Sequence, residues 1–392
     1  MFNILFFSLL LVSFIIQNFN YDLVHYSNIG LIIAISILAL LVNFKKIKFP
    51  KYPTIFFSIY LIITLISLQI NISNLVFGKT HGYMQLALQA SLFLFFICGY
   101  NLKEGIKKYL FKYLYIVSVV SILFYIFSIF WGNIYSPVNY YQMYFFSNKS
   151  HNHLGDLLVL PIIIAIFNLD KRTVFNLATI IVSYFFCLFS YSRSAYLALM
   201  IGLYSMIGLV KTTKFQKQLI VVMTIVMLIF SIILVRDKKY AITNTYSKLN
   251  KSFTNDIGKN AKKLFSERDI FLSEVIYGFA EKPILGFGIN NFISLSKKHF
   301  VDKNIDPSDK PKYTISTSHN MILDILCESG IFAFIFYLLF LGYILIHSQK
   351  NLYFILAITM LTNFMFDYTF EIPPFMLIFY LLLGIIYDEK FK

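Results

Sequence analysis

The chain has 392 residues, of which 58% are hydrophobic and 14% charged, with 44 Phe and 28 Tyr; no water-soluble globule has the interior to hide that much apolar surface. Its formal charge of +15 would suit nucleic acid, but the Lys and Arg are scattered between apolar runs and form no single basic face, so membrane orientation is the better reading. Cys98, Cys187 and Cys327 fall in or beside apolar runs, odd in number and without metal-ligand spacing, which argues against a disulfide framework.

The first segment, MFNILFFSLLLVSFIIQNF, lacks a basic start and a small-residue cleavage site and reads as a retained span. Apolar runs then follow near 29–44, 54–72, 86–100, 110–131, 154–169, 174–191, 195–210 and 219–235, and after a long gap near 331–347, 352–368 and 374–387. The expectation is an all-α integral membrane protein of about twelve spans. It divides into a bundle of about nine spans over 1–235, a loop over 236–328 and three C-terminal spans over 329–392. With the N-terminus inside, the cytoplasmic loops and C-terminus carry sixteen Lys and Arg and the short outer loops only Lys79, Lys149 and Arg193. Both termini are therefore expected in the cytoplasm, and the long loop outside. A loop of that length in a compact bundle usually carries function.

Several polar residues gather on the outer side. "NKSHNHLGD" opens the sixth span with His151, His153 and Asp156. Two imidazoles without a matched third ligand make a poor zinc site, and the wall of a polar cavity is the expected role. Arg193 stands in "YSRSAY" with almost no loop around it, where a cation needs an anion, a polar cavity or lipid headgroups. In "SERDIFLSEVIYGFAEKPILGFG" the residues Phe271, Leu272, Val275, Ile276 and Phe279 share one helical stripe, with Glu267, Glu274 and Glu281 expected opposite. Arg268 belongs to the apolar stripe, so this helix is expected to lie over the bundle mouth or on the membrane surface with its guanidinium aimed inward. The later G-x-G lacks the strand and further glycines of a nucleotide fingerprint.

"STSHNMILDILCESGIFAF" brings His319 to the edge of the tenth span, and Asn320, Asp324 and Glu328 then recur every four residues as a polar stripe entering the apolar region. Asp367 and Glu371, in "DYTFEIPP", add two acids on the same side. Guanidinium forks suit a diphosphate and an imidazole can take a proton from a hydroxyl, so the chemistry that fits is group transfer from a lipid diphosphate to an acceptor hydroxyl.

In this order and spacing the chain resembles the O-antigen ligase and O-antigen polymerase family of bacterial envelope glycosyltransferases. The likeness rests on Arg193 after the seventh span, the long loop after the ninth, Arg268 heading "ERDIFLSEVIYGFAEKPILGFGINNF", and "SHN" followed by "ESGIFAF". His319, Asn320, nine residues, Gly330, two residues and a small residue follow the ligase pattern, with Ala333 as a mild departure at the last position.

The resemblance implies an inverting, metal-independent transfer without a cofactor, from an undecaprenyl-diphosphate-linked glycan, at the outer face of the cell inner (cytoplasmic) membrane. It gives Arg193 and Arg268 the diphosphate and His319 the acceptor hydroxyl; from their own placement on the outer side, Asn320, His151, His153, Asp324 and Glu328 are expected to be substrate-binding residues. The acceptor would be lipid A-core in a ligase, the favoured reading, or a second lipid-linked glycan in a polymerase. A polytopic transporter of lipid-linked sugar is the other class considered, but it should show polar residues near mid-span and matched broken helices in two halves. Here Pro161 has no clear partner.

Overall fold

The computed structural model describes residues 2–16, 30–37, 47–76, 78–101, 103–135, 152–190, 192–236, 268–302 and 317–388. Among these the chain is all helix and turn, with one isolated antiparallel bridge between Ser348 and Tyr387 and no strand. The helices are α1 (Phe2–Ile16), α2 (residues 30–37), α3 (Lys51–Asn71), α4 (Lys79–Asn101), α5 (Lys103–Tyr135), α6 (Asn152–Phe167), α7 (Thr173–Phe189) and α8 (Arg193–Leu209). They continue with α9 (Lys214–Arg236), α10 (Arg268–Glu281), α11 (Phe292–Asp302), α12 (Met321–Ile346), α13 (Leu352–Phe366) and α14 (Pro373–Ile386).

Four stretches, Lys51–Asn74, Lys79–Asn101, Lys214–Ser231 and Met321–Ile346, are long and apolar enough to cross a membrane. The helix that contains the expected span at 331–347 begins ten residues earlier, at Met321, because Asn320 caps it there. Its side-chain oxygen accepts Ile322 N at 3.0 Å and Leu323 N at 3.1 Å.

The centre is α14, which starts on the Pro373-Pro374 pair and whose residues are all buried. It packs against α4 so closely that a Cβ on Gly384 would stand 2.2 Å from Phe96 O, and one on Gly99 2.4 Å from Leu381 O. Small residues allow such backbone contact where lipid offers no hydrophobic drive between helices. The other principal pairs are α3 with α12, α6 with α7, and α8 with α13. Apolar side chains also face outward, among them Val174, Ile181 and Ile346, as a lipid-facing surface requires.

α12 is broken at Gly330 (φ 80°, ψ 178°), and the break docks another segment. Of the carbonyls freed from the helix ladder, Cys327 O accepts from Phe287 N at 2.9 Å and Glu328 O from Gly288 N at 2.8 Å, while Ile331 N donates back to Pro283 O at 2.9 Å. A Cβ on Gly330 would lie 2.1 Å from Ile284 O. Ser67 of α3 donates to Leu285 O and Glu328 O, and Asn71 Nδ2 donates to Gly286 O at 3.2 Å. The "GFG" glycines thus serve to seat α10 and α11 against α3 and α12.

Candidate functional site

His319 lies in the turn that opens α12, at φ 57°, a left-handed conformation that costs a non-glycine residue roughly 1–2 kcal/mol. The surrounding bonds hold it there. Asp324 reaches back from the first turn of α12 to accept Ser318 N at 2.7 Å and the Thr317 hydroxyl; Thr317 Oγ1 accepts His319 N at 3.2 Å, and Asn320 Nδ2 donates to Met365 O at 3.1 Å. The turn is therefore tied to both α12 and the end of α13.

Three side chains frame the His319 ring. Phe271 of α10 stacks on it, with centroids 4.8 Å apart and planes 13° from parallel; Tyr368 meets it edge-on at 4.9 Å; and Asp367 Oδ1 lies 3.9 Å from its Nδ1. That last distance is ion-pair reach, too long for a hydrogen bond. The His319 side chain keeps 28% of its surface exposed whereas Asp367 keeps 2%, so the imidazole is accessible and the carboxylate is buried behind it.

Asp367 ends α13 and caps the following turn, accepting Tyr368 N at 2.7 Å. Burial acts to raise its pKa, but the His319 and His153 imidazoles and the Tyr368 amide outweigh that effect and hold the carboxyl below the usual carboxylate range. Behind it, Ser194 Oγ donates to Asp367 Oδ2 at 3.2 Å, and both Ser192 and Ser194 reach Asp156 Oδ1 on α6, at 3.2 and 3.1 Å. Gly155 permits the close approach, since a Cβ there would stand 2.3 Å from Ser190 Oγ.

Of the residues singled out in the sequence, His319, Asn320, Asp324 and His153 come together around Asp367 and Tyr368; the His153 ring meets Tyr368 edge-on at 4.6 Å. Arg193 is exposed at the first residue of α8, between the two serines that reach Asp156. Arg268 opens α10, one helical turn before Phe271. Its side chain, like His151 as a whole and the Glu371 side chain, lies outside the described residues. Glu328 sits elsewhere: its carboxylate accepts Asn290 N at 2.8 Å and Phe292 N at 3.1 Å, an anion at the N-terminus of α11. Sequence reasoning placed Phe271 only on the apolar stripe of its helix and assigned no role to Tyr368, Ser192 or Ser194. The serines flanking an arginine at a span edge were the available signal.

The amphipathic reading of α10 needs correction. Glu274 is fully buried and accepts Ser296 Oγ of α11 at 2.9 Å, beside Val275 and Leu295, while Leu272 and Ile276 of the expected inner stripe are exposed. The neighbouring helix α11 supplies an inward polar partner that helical periodicity alone does not reveal. Burial pushes the Glu274 carboxyl up to about 7.

No group of three or more metal-ligating side chains occurs among the described residues. The arrangement offers an accessible imidazole backed by a buried carboxylate, with helices headed by Arg193 and Arg268 beginning nearby.

Residues 177–338, somewhat under half of the chain, match the family model described as O-Antigen ligase. The matched stretch contains Arg193, Arg268 and His319 and bears out the resemblance to the O-antigen ligase and polymerase family. Proteins of this family are glycosyltransferase-like enzymes that act on lipid-linked glycans at a membrane. No curated protein matches the chain.

Proposed function

We propose that this protein is a metal-independent, inverting glycosyltransferase that moves a glycan from undecaprenyl diphosphate to an acceptor hydroxyl, and that it is an O-antigen ligase whose acceptor is lipid A-core. The observation that carries the reading is the His319–Asp367 pair framed by Phe271 and Tyr368, of which His319 and Phe271 lie inside the stretch that matches the family.

In the proposed step His319 takes the proton of the acceptor hydroxyl, and the oxygen attacks the anomeric carbon from the face opposite the diphosphate. The bond from that carbon to the diphosphate oxygen breaks with its electron pair, so the configuration inverts. Arg193 and Arg268 bind the diphosphate and stabilise the charge it gains on leaving. Asp367 stabilises the imidazolium. Asn320 and Asp324 hold the His319 turn; His153 forms part of the wall against Tyr368, with His151 assigned to the same wall. Glu328 acts through the loop it anchors, because its oxygens already accept backbone amides.

The site faces the outside of the cell inner membrane, with both termini cytoplasmic and about twelve spans in all. Support comes from the sixteen-to-three imbalance of basic residues between the two sides. Both family activities use the same donor and differ in acceptor. Deleting the gene should leave lipid A-core bare while long undecaprenyl-linked polymer accumulates. Lipid A-core capped with a single repeat unit would instead identify a polymerase joining lipid-linked repeats.

A further inference from the structure

The bonds of its turn fix where the His319 backbone stands, but not the plane of its ring. The last torsion of a histidine side chain is broad, and rotation about it swings both ring nitrogens while the backbone stays still. Asp367 Oδ1 attracts Nδ1 across 3.9 Å, a distance at which charge is felt but no plane is set as a hydrogen bond would set one. The neighbouring rings do set one. Phe271 lies within 13° of parallel to the imidazole with centroids 4.8 Å apart, while Tyr368 meets it at 88° and 4.9 Å. With Nδ1 turned to Asp367 and one face covered by Phe271, Nε2 across the ring is the nitrogen left for an acceptor proton.

Packing alone does not ask for that geometry. Phe271 is only partly buried, at the rim of the small apolar cluster of Val275, Phe287, Phe292, Leu295 and Cys327, a position that any apolar side chain of similar size could fill. What the flat ring adds is a surface parallel to the imidazole. Its own place is set from further along α10: Glu274 accepts Ser296 Oγ at 2.9 Å, Val275 O accepts Cys327 Sγ at 3.5 Å, and a Cβ on Gly278 would stand 2.4 Å from the Leu295 side chain. α10 thus holds Phe271 through contacts with α11 and α12, and the same helix begins at Arg268.

We infer that Phe271 is a positioning residue for transfer: its ring holds the plane of the His319 imidazole so that Nε2 stays aimed at the acceptor hydroxyl. This inference rests on the role proposed for His319. It gives α10 two linked tasks, since the helix headed by the diphosphate-binding Arg268 also sets the base, and one element then registers donor and base together. Loss of the flat face frees the imidazole to turn, and a misplacement of about 1 Å in a reacting group can cost on the order of 100-fold in rate.

The test uses the full chain in membranes, with undecaprenyl-diphosphate glycan from gene-deleted cells as donor and lipid A-core as acceptor. F271L, which keeps an apolar side chain but not the flat face, is expected to lower kcat by roughly 10- to 100-fold with KM little changed. F271Y, which keeps the flat face, should recover most of the loss. A side chain wanted only for packing would give the opposite order, because leucine adds no hydroxyl to the apolar rim. Membrane level and thermal unfolding in detergent are followed for each variant. A second readout needs no catalysis: diethyl pyrocarbonate, which acylates imidazole nitrogen, should modify His319 several times faster in F271L than in the wild type, with the modified residue identified by mass spectrometry. If F271Y does not fold, the modification rates decide alone. F271L at the wild-type rate, F271Y no faster than F271L with both folded, or equal modification of His319 in F271L and wild type overturns the positioning role. H319A is the reference: if it is inactive and F271L is normal, only this inference fails, while an active H319A removes the proposed function itself and this role with it.

Discussion

His319 Nδ1 lies 3.9 Å from Asp367 Oδ1, although one residue opens α12 and the other closes α13. Because the carboxyl is held below the usual carboxylate range, Asp367 is ionised throughout the neutral region. Its folded-state pKa is depressed, so its contribution to stability is present above the unfolded value and is lost as pH falls through the folded one. Transfer should therefore show no loss attributable to Asp367 between pH 5 and 8, values chosen to lie above the ordinary Asp pKa of about 3.9. D367N should lower kcat by about 100-fold or more at every pH in that window. A D367N enzyme with normal kcat would detach this carboxylate from the reaction.

Arg268 heads the helix that places Phe271 under the imidazole. R268A should abolish transfer with the protein still inserted at normal levels. R268K should recover little, since a point charge cannot reproduce a planar two-pronged contact with a diphosphate. Initial rates with both variants at matched membrane levels decide this; near-full activity of R268K would remove the bidentate role.

The all-helical, apolar character of the chain is legible in the sequence because long apolar runs declare membrane helices. The pattern from His319 to Gly330 was legible as spacing, but its cause was not: Gly330 is required by the backbone of Ile284, which only the folded chain brings within 2.1 Å of a Cβ there. The bond from Ser194 to Asp367 crosses 173 residues and leaves no local trace. Glu274 misled for a related reason. Its inward partner, Ser296, belongs to a different helix.

G330A tests the docking of the long loop. A Cβ there meets the Ile284 carbonyl, and the residue needs a positive φ, so the loss should exceed about 2 kcal/mol, through clash and backbone strain together. A large fall in unfolding temperature in detergent, with loss of transfer, is the expected outcome. An unchanged midpoint would mean that residues 283–288 do not depend on the break in α12.

Glu274 gives the protein a pH-dependent weakness. Its folded-state pKa of about 7 lies above the ordinary Glu value, so its burial penalty is absent at acid pH, grows as pH rises above the ordinary value and is complete above about 7. Facing it are Ser296 of α11 and Cys327 of α12. E274Q should raise the unfolding midpoint at pH 8, by an amount corresponding to on the order of 1–3 kcal/mol, and change it little at pH 4. Equal shifts at both values would show that the carboxyl does not titrate there.

The central claim is that His319 activates the acceptor for attack on a lipid-diphosphate glycan, and the most direct measurement is transfer by the purified chain in lipid nanodiscs. Undecaprenyl-diphosphate glycan and lipid A-core are supplied, and the product is read by mass spectrometry with and without a strong chelator. The account predicts glycan joined to lipid A-core with inverted configuration, undiminished by the chelator, and absent with H319A at equal protein. Wild-type rates from H319A, or retained configuration in the product, would contradict it.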